Sequence, residues 1–193
     1  MVKHWAEEIP KYTSPDGLVK VTIWAGSLNG VRGLPPPVNS YASNPKSELA
    51  IFFINLKPGG RITIPMAEGG RNINRMAYFV EGNTVQVGRS TVDQRCALTL
   101  DASQEAEFFN SDPSTAADVL LLQGRPIGEP VAQHGPFVMN TQSEIQQAFA
   151  DYRKTQFGGW PWPQDAMIFP RDKSRFALVN GTEIFPPRAE AEL

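Results

Sequence analysis

The chain has 193 residues, 41 % of them hydrophobic, enough for a real core and against wholesale disorder; that length holds one ordinary domain with a tail, or two very small ones. A formal net charge of −2, with basic residues scattered as in Arg71/Arg75 and Lys173/Arg175, argues against a nucleic-acid binder held by phosphate contacts. No charged-then-apolar leader opens the chain and the apolar runs are short, so neither secretion nor membrane spanning is expected and the cytoplasm is the default location.

Sixteen glycines and 17 prolines fall between short apolar runs, the punctuation of an all-β domain with tight connections. Leu18–Ala25 alternates and is rich in β-branched residues, which predicts a strand with one buried face. Arg32–Ser47 carries Pro35, Pro36, Pro37 and Pro45 and reads as an extended loop, since proline removes ladder donors. Leu49–Leu56 is continuously apolar, as in a central barrel strand; Lys57–Gly60 turns the chain, and Arg61–Pro65 is a further short strand. Met76–Val80 and Thr84–Val87 flank Glu81-Gly82-Asn83, which predicts a hairpin. Ala97–Leu100, Ala106–Phe109 and Val119–Gln123 follow as strands, with a charged loop at Ser111–Asp118. This spacing suggests a closed barrel or sandwich.

After Asn140 the period changes. Thr141 and Glu144 form a capping box, and Ile145, Ala148, Phe149 and Tyr152 make one apolar stripe, so a helix runs from Gln142 to about Thr155 and ends at Gly158-Gly159. The Trp-, Phe- and Pro-rich segment beyond it is expected to wrap onto the barrel or a partner, with Arg188–Leu193 frayed.

Residues able to carry chemistry are few. Of the two histidines, His4 lies in the first few residues and is expected to be mobile, while His134 sits among apolar neighbours and reads as a hydrogen-bonded structural residue. Cys96, the single cysteine, excludes an intrachain disulfide and implies a reducing compartment; its apolar run predicts a small core residue. Ser27, Ser40 and Ser90 lack a nucleophile-elbow context. Gly59-Gly60 and Gly69-Gly70 match no phosphate loop and read as turns. Trp160 and Trp162 read as anchors packed on their own domain in preference to a ligand-stacking platform. No catalytic, cofactor-binding or metal-binding residue is assigned.

Three stretches resemble the pirin family of two-barrel cupins. They are VLLLQGRPIGEPVAQHGPFVMNTQSEIQQAFADYRKTQFGGWPWP from Val119 to Pro163, with QHGPFVMNT at Gln133–Thr141 its most specific part; DGLVKVTIWAGSLNG from Asp16; and AIFFINLKPGG with MAYFVEG between Ala50 and Gly82. The resemblance implies an all-β, cupin-type barrel (double-stranded β-helix, RmlC-like jelly roll) with one C-terminal α-helix and an aromatic, Pro-rich tail. The expected organisation is a linker remnant over 1–15, the C-terminal pirin barrel over 16–140, the helix over 141–157 and an irregular tail over 158–193. In the family, iron is held by three His and one Glu of the N-terminal half, which no part of this chain resembles, so the chain reads as a truncated or split bicupin.

The cupin metal motif G-x5-H-x-H-x3-4-E-x6-G can be laid on this barrel. Counted from Gly59, its two His positions hold Pro65 and Ala67; counted back from Gly82, its Glu position holds Arg75. None of these residues serves as a ligand, and a guanidinium repels a metal. No cofactor is therefore expected in this chain, and iron is implied only for the absent half. The first functional expectation is a metal-free, non-catalytic half with a structural or interaction role. Its partner would be the N-terminal half, or a second copy through an exposed apolar face, with neither nucleic acid nor membrane involved. The alternatives are one part of a pirin-type quercetin 2,3-dioxygenase that needs the iron-binding half, and a barrel that binds a small molecule. At Gly135-Pro136 an extended turn is expected, with Phe137 and Val138 anchored in the core.

Overall fold

The alternating runs become the long strands. The computed structural model describes residues 3–160, 162–166 and 168–187. It contains β1 (Lys11–Thr13), β2 (Val19–Ala25), β3 (Ser27–Leu28), β4 (Val31–Arg32), β5 (Ala50–Leu56), β6 (Arg61–Ile64), β7 (Asn74–Glu81) and β8 (Val85–Val87). β9 (Ser90–Val92), β10 (Ala97–Asp101), β11 (Ala106–Phe109), β12 (Ala117–Gly124), β13 (Ala132–His134) and β14 (Phe137–Met139) lead to the helix α1 (Gln142–Thr155) and the strands β15 (Ala177–Val179) and β16 (Thr182–Ile184). The chain falls into two compact units, the first reaching Pro126 and the second covering Ile127–Pro186.

The first unit is a two-sheet barrel. One sheet has the order β1-β2-β5-β12-β7-β10 and the other β6-β11-β8-β9, every pair antiparallel. The period-2 pattern sends one side of each strand inward. Val19, Val21 and Ile23 of β2, Phe52, Ile54 and Leu56 of β5, and Val119 and Leu121 of β12 meet Ile62 and Ile64 of β6 and Phe108 of β11 in one buried cluster. This is the all-β fold that the sequence predicts.

Several local expectations need correction. Glu81–Asn83 does not close a hairpin: β7 pairs with β10 and β12, and β8 with β9 and β11, so the chain crosses here from one sheet to the other. Gly82, at φ +116°, makes the crossing possible, because a Cβ there would lie 2.9 Å from the Ala116 carbonyl oxygen. Asn83 fastens it, donating from Nδ2 to Asp112 Oδ2 at 2.9 Å and to Thr115 Oγ1 at 3.1 Å. Cys96 is exposed, not in the core, because it precedes β10 at the sheet edge. Lys11–Thr13, inside the segment read as a linker, adds an edge strand by pairing with β2. The proline-rich segment is a loop that also holds two single 3-10 turns, Tyr41–Ser43 and Pro45–Ser47.

The second unit begins with QHGPFVMNT, which forms the β13–β14 hairpin. Its turn is left-handed at Gly135, φ +55°, where an extended turn was expected. Phe137 packs edge-on against Phe149, Tyr152 and Phe157, whereas Val138 points outward and is exposed. The helix carries the expected capping box, with Thr141 Oγ1 accepting from the Glu144 amide and Glu144 Oε2 accepting from the Thr141 amide. It stops at Thr155, ahead of the two glycines, because Gln156 takes the left-handed cap position. The tail contains the β15–β16 hairpin and a cluster of Trp162, Phe169 and Phe176 under Lys173, while Arg188–Leu193 lies outside the described residues. No helix among the described residues is long and apolar enough to cross a membrane.

Gly82→Ala is expected to destabilise the barrel by about 1–3 kcal/mol, measured by urea unfolding, since any side chain there is strained. The Asp112 carboxylate accepts from the Asn83 side chain and from the Ser114 and Thr115 amides, which lower its pKa to about 2. Being depressed, the group stabilises the fold at pH above its unfolded value, and that contribution is lost as pH falls through the folded one. The Tm of the wild type should therefore fall more steeply between roughly pH 4 and pH 2 than that of Asp112→Asn.

Candidate functional site

The strand pattern of β7 sends Arg75, Ala77 and Phe79 inward, and that of β12 sends in Val119, Leu121 and Gln123. In register, Arg75 lies directly across from Gln123. The outermost inward layer is thus polar, at one end of an otherwise apolar barrel. Arg75 is 2 % exposed. Its Nε donates to Gln123 Oε1 at 2.8 Å, its Nη2 to the Pro65 carbonyl at 2.7 Å and its Nη1 to the Gln104 carbonyl at 3.2 Å. The planar fork therefore ties the end of β6, the turn after β10 and strand β12 to β7. Burial lowers the Arg75 pKa and the nearby Glu48 charge raises it, the first effect being the larger.

Beside this layer lies a cavity of about 590 Å³ in the first unit, walled by barrel residues such as Phe52, Ile64 and Gln123 and by the proline-rich loop. That loop is pinned to the barrel at several points. Gln123 Nε2 donates to the Glu48 carbonyl, the Glu48 carboxylate accepts from the Gly69 amide and from Arg125 Nη2, and the Tyr41 hydroxyl donates to the Arg125 carbonyl.

The motif positions can now be placed. Pro65 offers only its carbonyl, and Arg75 takes it; Ala67 is a buried methyl in a small cluster with Ile73 and Ala102. These residues do not fit a metal: the two imidazole positions have no donor atom, and the carboxylate position carries a cation. Among the described residues no group of three or more His, Cys, Asp or Glu could hold an ion. His4, expected to be mobile, stands in the cavity wall, as does Ser27. Ser40 caps the first 3-10 turn by accepting from the Ala42 amide. His134 is exposed and meets the Phe149 ring edge-on at 5.3 Å, a ring contact where a hydrogen bond was expected. Trp160 is exposed, its indole N–H donating to the Gln164 carbonyl.

A two-sheet barrel with this strand order and an open, polar-lined end defines a cupin. Residues 51–158 match the family model described as the pirin C-terminal cupin domain. The chain is 33 % identical to human pirin over 157 residues, 79 % of this chain and 49 % of the relative, and 35 % identical to a pirin-like protein of Caulobacter vibrioides over 142 residues, 74 % and 47 %. A solved quercetin 2,3-dioxygenase from Acinetobacter baumannii superposes with a TM-score of 0.64 at 24 % identity, covering 80 % of this chain and 49 % of that one. The chain belongs to the pirin family, and it spans about half the length of the curated relatives that it matches.

Arg75→Met, which keeps the volume and removes the fork, takes the guanidinium donor from three part-buried oxygens. It is expected to cost about 1–3 kcal/mol by urea unfolding, and Arg75→Lys should recover only part, because an ammonium cannot reach three such separated acceptors in one plane.

Proposed function

We propose that this chain is a supporting, non-catalytic cupin domain, which holds no metal of its own and acts by docking on a metal-binding barrel of the same family. Arg75 carries this reading. The position at which the cupin motif requires a carboxylate is occupied by a buried guanidinium, already committed to three protein oxygens. A divalent ion there would meet a fixed positive charge at close range in a poorly solvated site, and the two imidazole positions of the motif hold Pro65 and Ala67.

The outer face of the larger sheet supports the docking part. An antiparallel sheet with one side in water alternates apolar and polar residues. Here the outward side is apolar too: Phe53, Leu120 and Tyr78 stand in one cross-strand row, and Ile51, Leu122 and Met76 in the next. These are half-buried, and Trp24 beside them is 46 % exposed with its ring 6.0 Å from that of Phe53. A contiguous apolar patch of this kind marks an interface. Flavonol oxidation of the kind named for the Acinetobacter baumannii structure would then belong to the partner barrel and its iron, with this domain supporting that barrel from outside.

Loading the purified chain with Fe(II) and passing it through gel filtration should leave far less than one equivalent of iron, with no oxygen uptake in the presence of quercetin. Stoichiometric iron with turnover would overturn the reading. Light scattering should report self-association, or a complex when a pirin iron-binding half is added; a stable monomer that ignores that half would overturn the docking.

A further inference from the structure

The guanidinium of Arg75 has five N–H donors, and three hydrogen bonds to neutral oxygens are formed. No ion pair joins it to a carboxylate among the described residues; the neighbouring Glu48 carboxylate is paired with Arg125 at 3.1 Å. Arg75 thus holds a buried charge whose hydrogen bonds are mostly met but whose countercharge is not in direct contact. Such a charge is costly until an anion reaches it. Arg75 also stands in the wall of the cavity of about 590 Å³, a volume within the range of small-molecule sites.

The rest of the wall limits what could enter. Leu34, Phe52, Ile64 and Met66 give it apolar surface suited to a flat or hydrocarbon body. Its other charged groups are Arg32, Glu48 and Glu68. Glu48 is neutralised by Arg125, and Glu68 is exposed to solvent, where its field is screened. Arg75 offers one buried positive charge and two N–H groups outside its three hydrogen bonds, which match a single carboxylate on an apolar body better than a polyanion such as a phosphate ester.

We propose that the cavity is a binding site for a small aromatic or aliphatic monocarboxylate, whose carboxylate pairs with Arg75 while its apolar body lies against Phe52 and Ile64. The two remaining N–H groups supply the donors, and the low dielectric around a buried guanidinium strengthens a charged acceptor over a neutral one. This rests on the same Arg75 position as the proposed function, but on its charge and not on the absence of metal ligands.

Calorimetric titration of the whole chain with benzoate and phenylacetate, against benzamide and phenylacetamide, tests it. Saturable one-to-one binding of the acids is expected, about tenfold tighter than that of the amides, because only the acids bring a charge. Arg75→Met should erase the preference. Since that variant removes three hydrogen bonds and could fail to fold, Gln123→Glu is the second arm. It places a fixed carboxylate opposite Arg75 and gives up the Gln123 bond to the Glu48 carbonyl; circular dichroism and urea unfolding should show a folded chain that has lost the acids. Equal binding of acids and amides, no saturable binding of either acid, or unchanged benzoate binding by Gln123→Glu would each overturn the site. Iron loading is read separately: retained iron would sink the supporting-domain reading and leave the acid-against-amide comparison to decide this one.

Discussion

At one end of the barrel a single planar cation gathers oxygens from three elements that share no ladder with one another. Arg75 reaches the carbonyl that ends β6, the carbonyl in the turn after β10 and the amide side chain on β12. Below it the two sheets meet through apolar contacts, from Phe108 and Ile64 on one side to Leu121 and Phe52 on the other, as far as the buried Asn110 at the opposite end. Apolar packing is non-directional and tolerates small slides, whereas a bidentate-capable fork with short bonds fixes angle as well as distance. The register of β7 against β12 at this end is therefore specified by chemistry, and the cavity beside it keeps a defined wall.

The proline-rich loop depends on the same layer. Gln123 uses its carbonyl oxygen on Arg75 and its amide nitrogen on the Glu48 backbone, so one side chain couples the barrel interior to the loop. Glu48 itself sits at φ +47°, an unfavourable conformation for a non-glycine residue, held there by the Gly69 amide and Arg125. Loss of the Arg75 fork would free the Gln123 side-chain oxygen, while the Gly69–Glu48, Arg125–Glu48 and Tyr41–Arg125 bonds would still hold the loop. The opposite end has a separate lock, Asn110 with Asp112 and Asn83, in which the buried Asn110 amide donates to the Leu56 and Thr115 carbonyls.

Much of the architecture is legible in the sequence because the long strands leave apolar traces, alternating in β2 and continuous in β5; these and β12 lie where the runs put them. The helix and its capping box are local features and are equally plain. The sheet crossover at Gly82 is not, since Glu-Gly-Asn between two apolar runs reads the same whether the chain returns along its own sheet or steps to the facing one. Only the position of Ala116 and Ala117 distinguishes them, and those lie more than thirty residues away in sequence. Cys96 and Val138 misled for a related reason: both occur in apolar runs, but at an edge or in a hairpin whose partners are set by tertiary packing. For the site, the motif spacing located Pro65, Ala67 and Arg75, yet it could not show that Arg75 is buried. The one available signal was a charge at an inward position of a strand whose next inward residues are Ala77 and Phe79.

That signal bears on how one fold can serve with and without a metal. A divalent ion and a guanidinium make a similar demand on their surroundings, oxygen lone pairs turned inward from several elements. The shell around Arg75 meets that demand with two carbonyls and one amide, none of which is a strong ligand for a borderline metal. The guanidinium is attached to β7, so its cross-links form without a ligand from solution and cannot be lost to a chelator. The same attachment places a fixed cation where a metal site would keep an open coordination position. A barrel fastened in this way gains a fixed end whose inward oxygens are already taken up by a cation of its own chain.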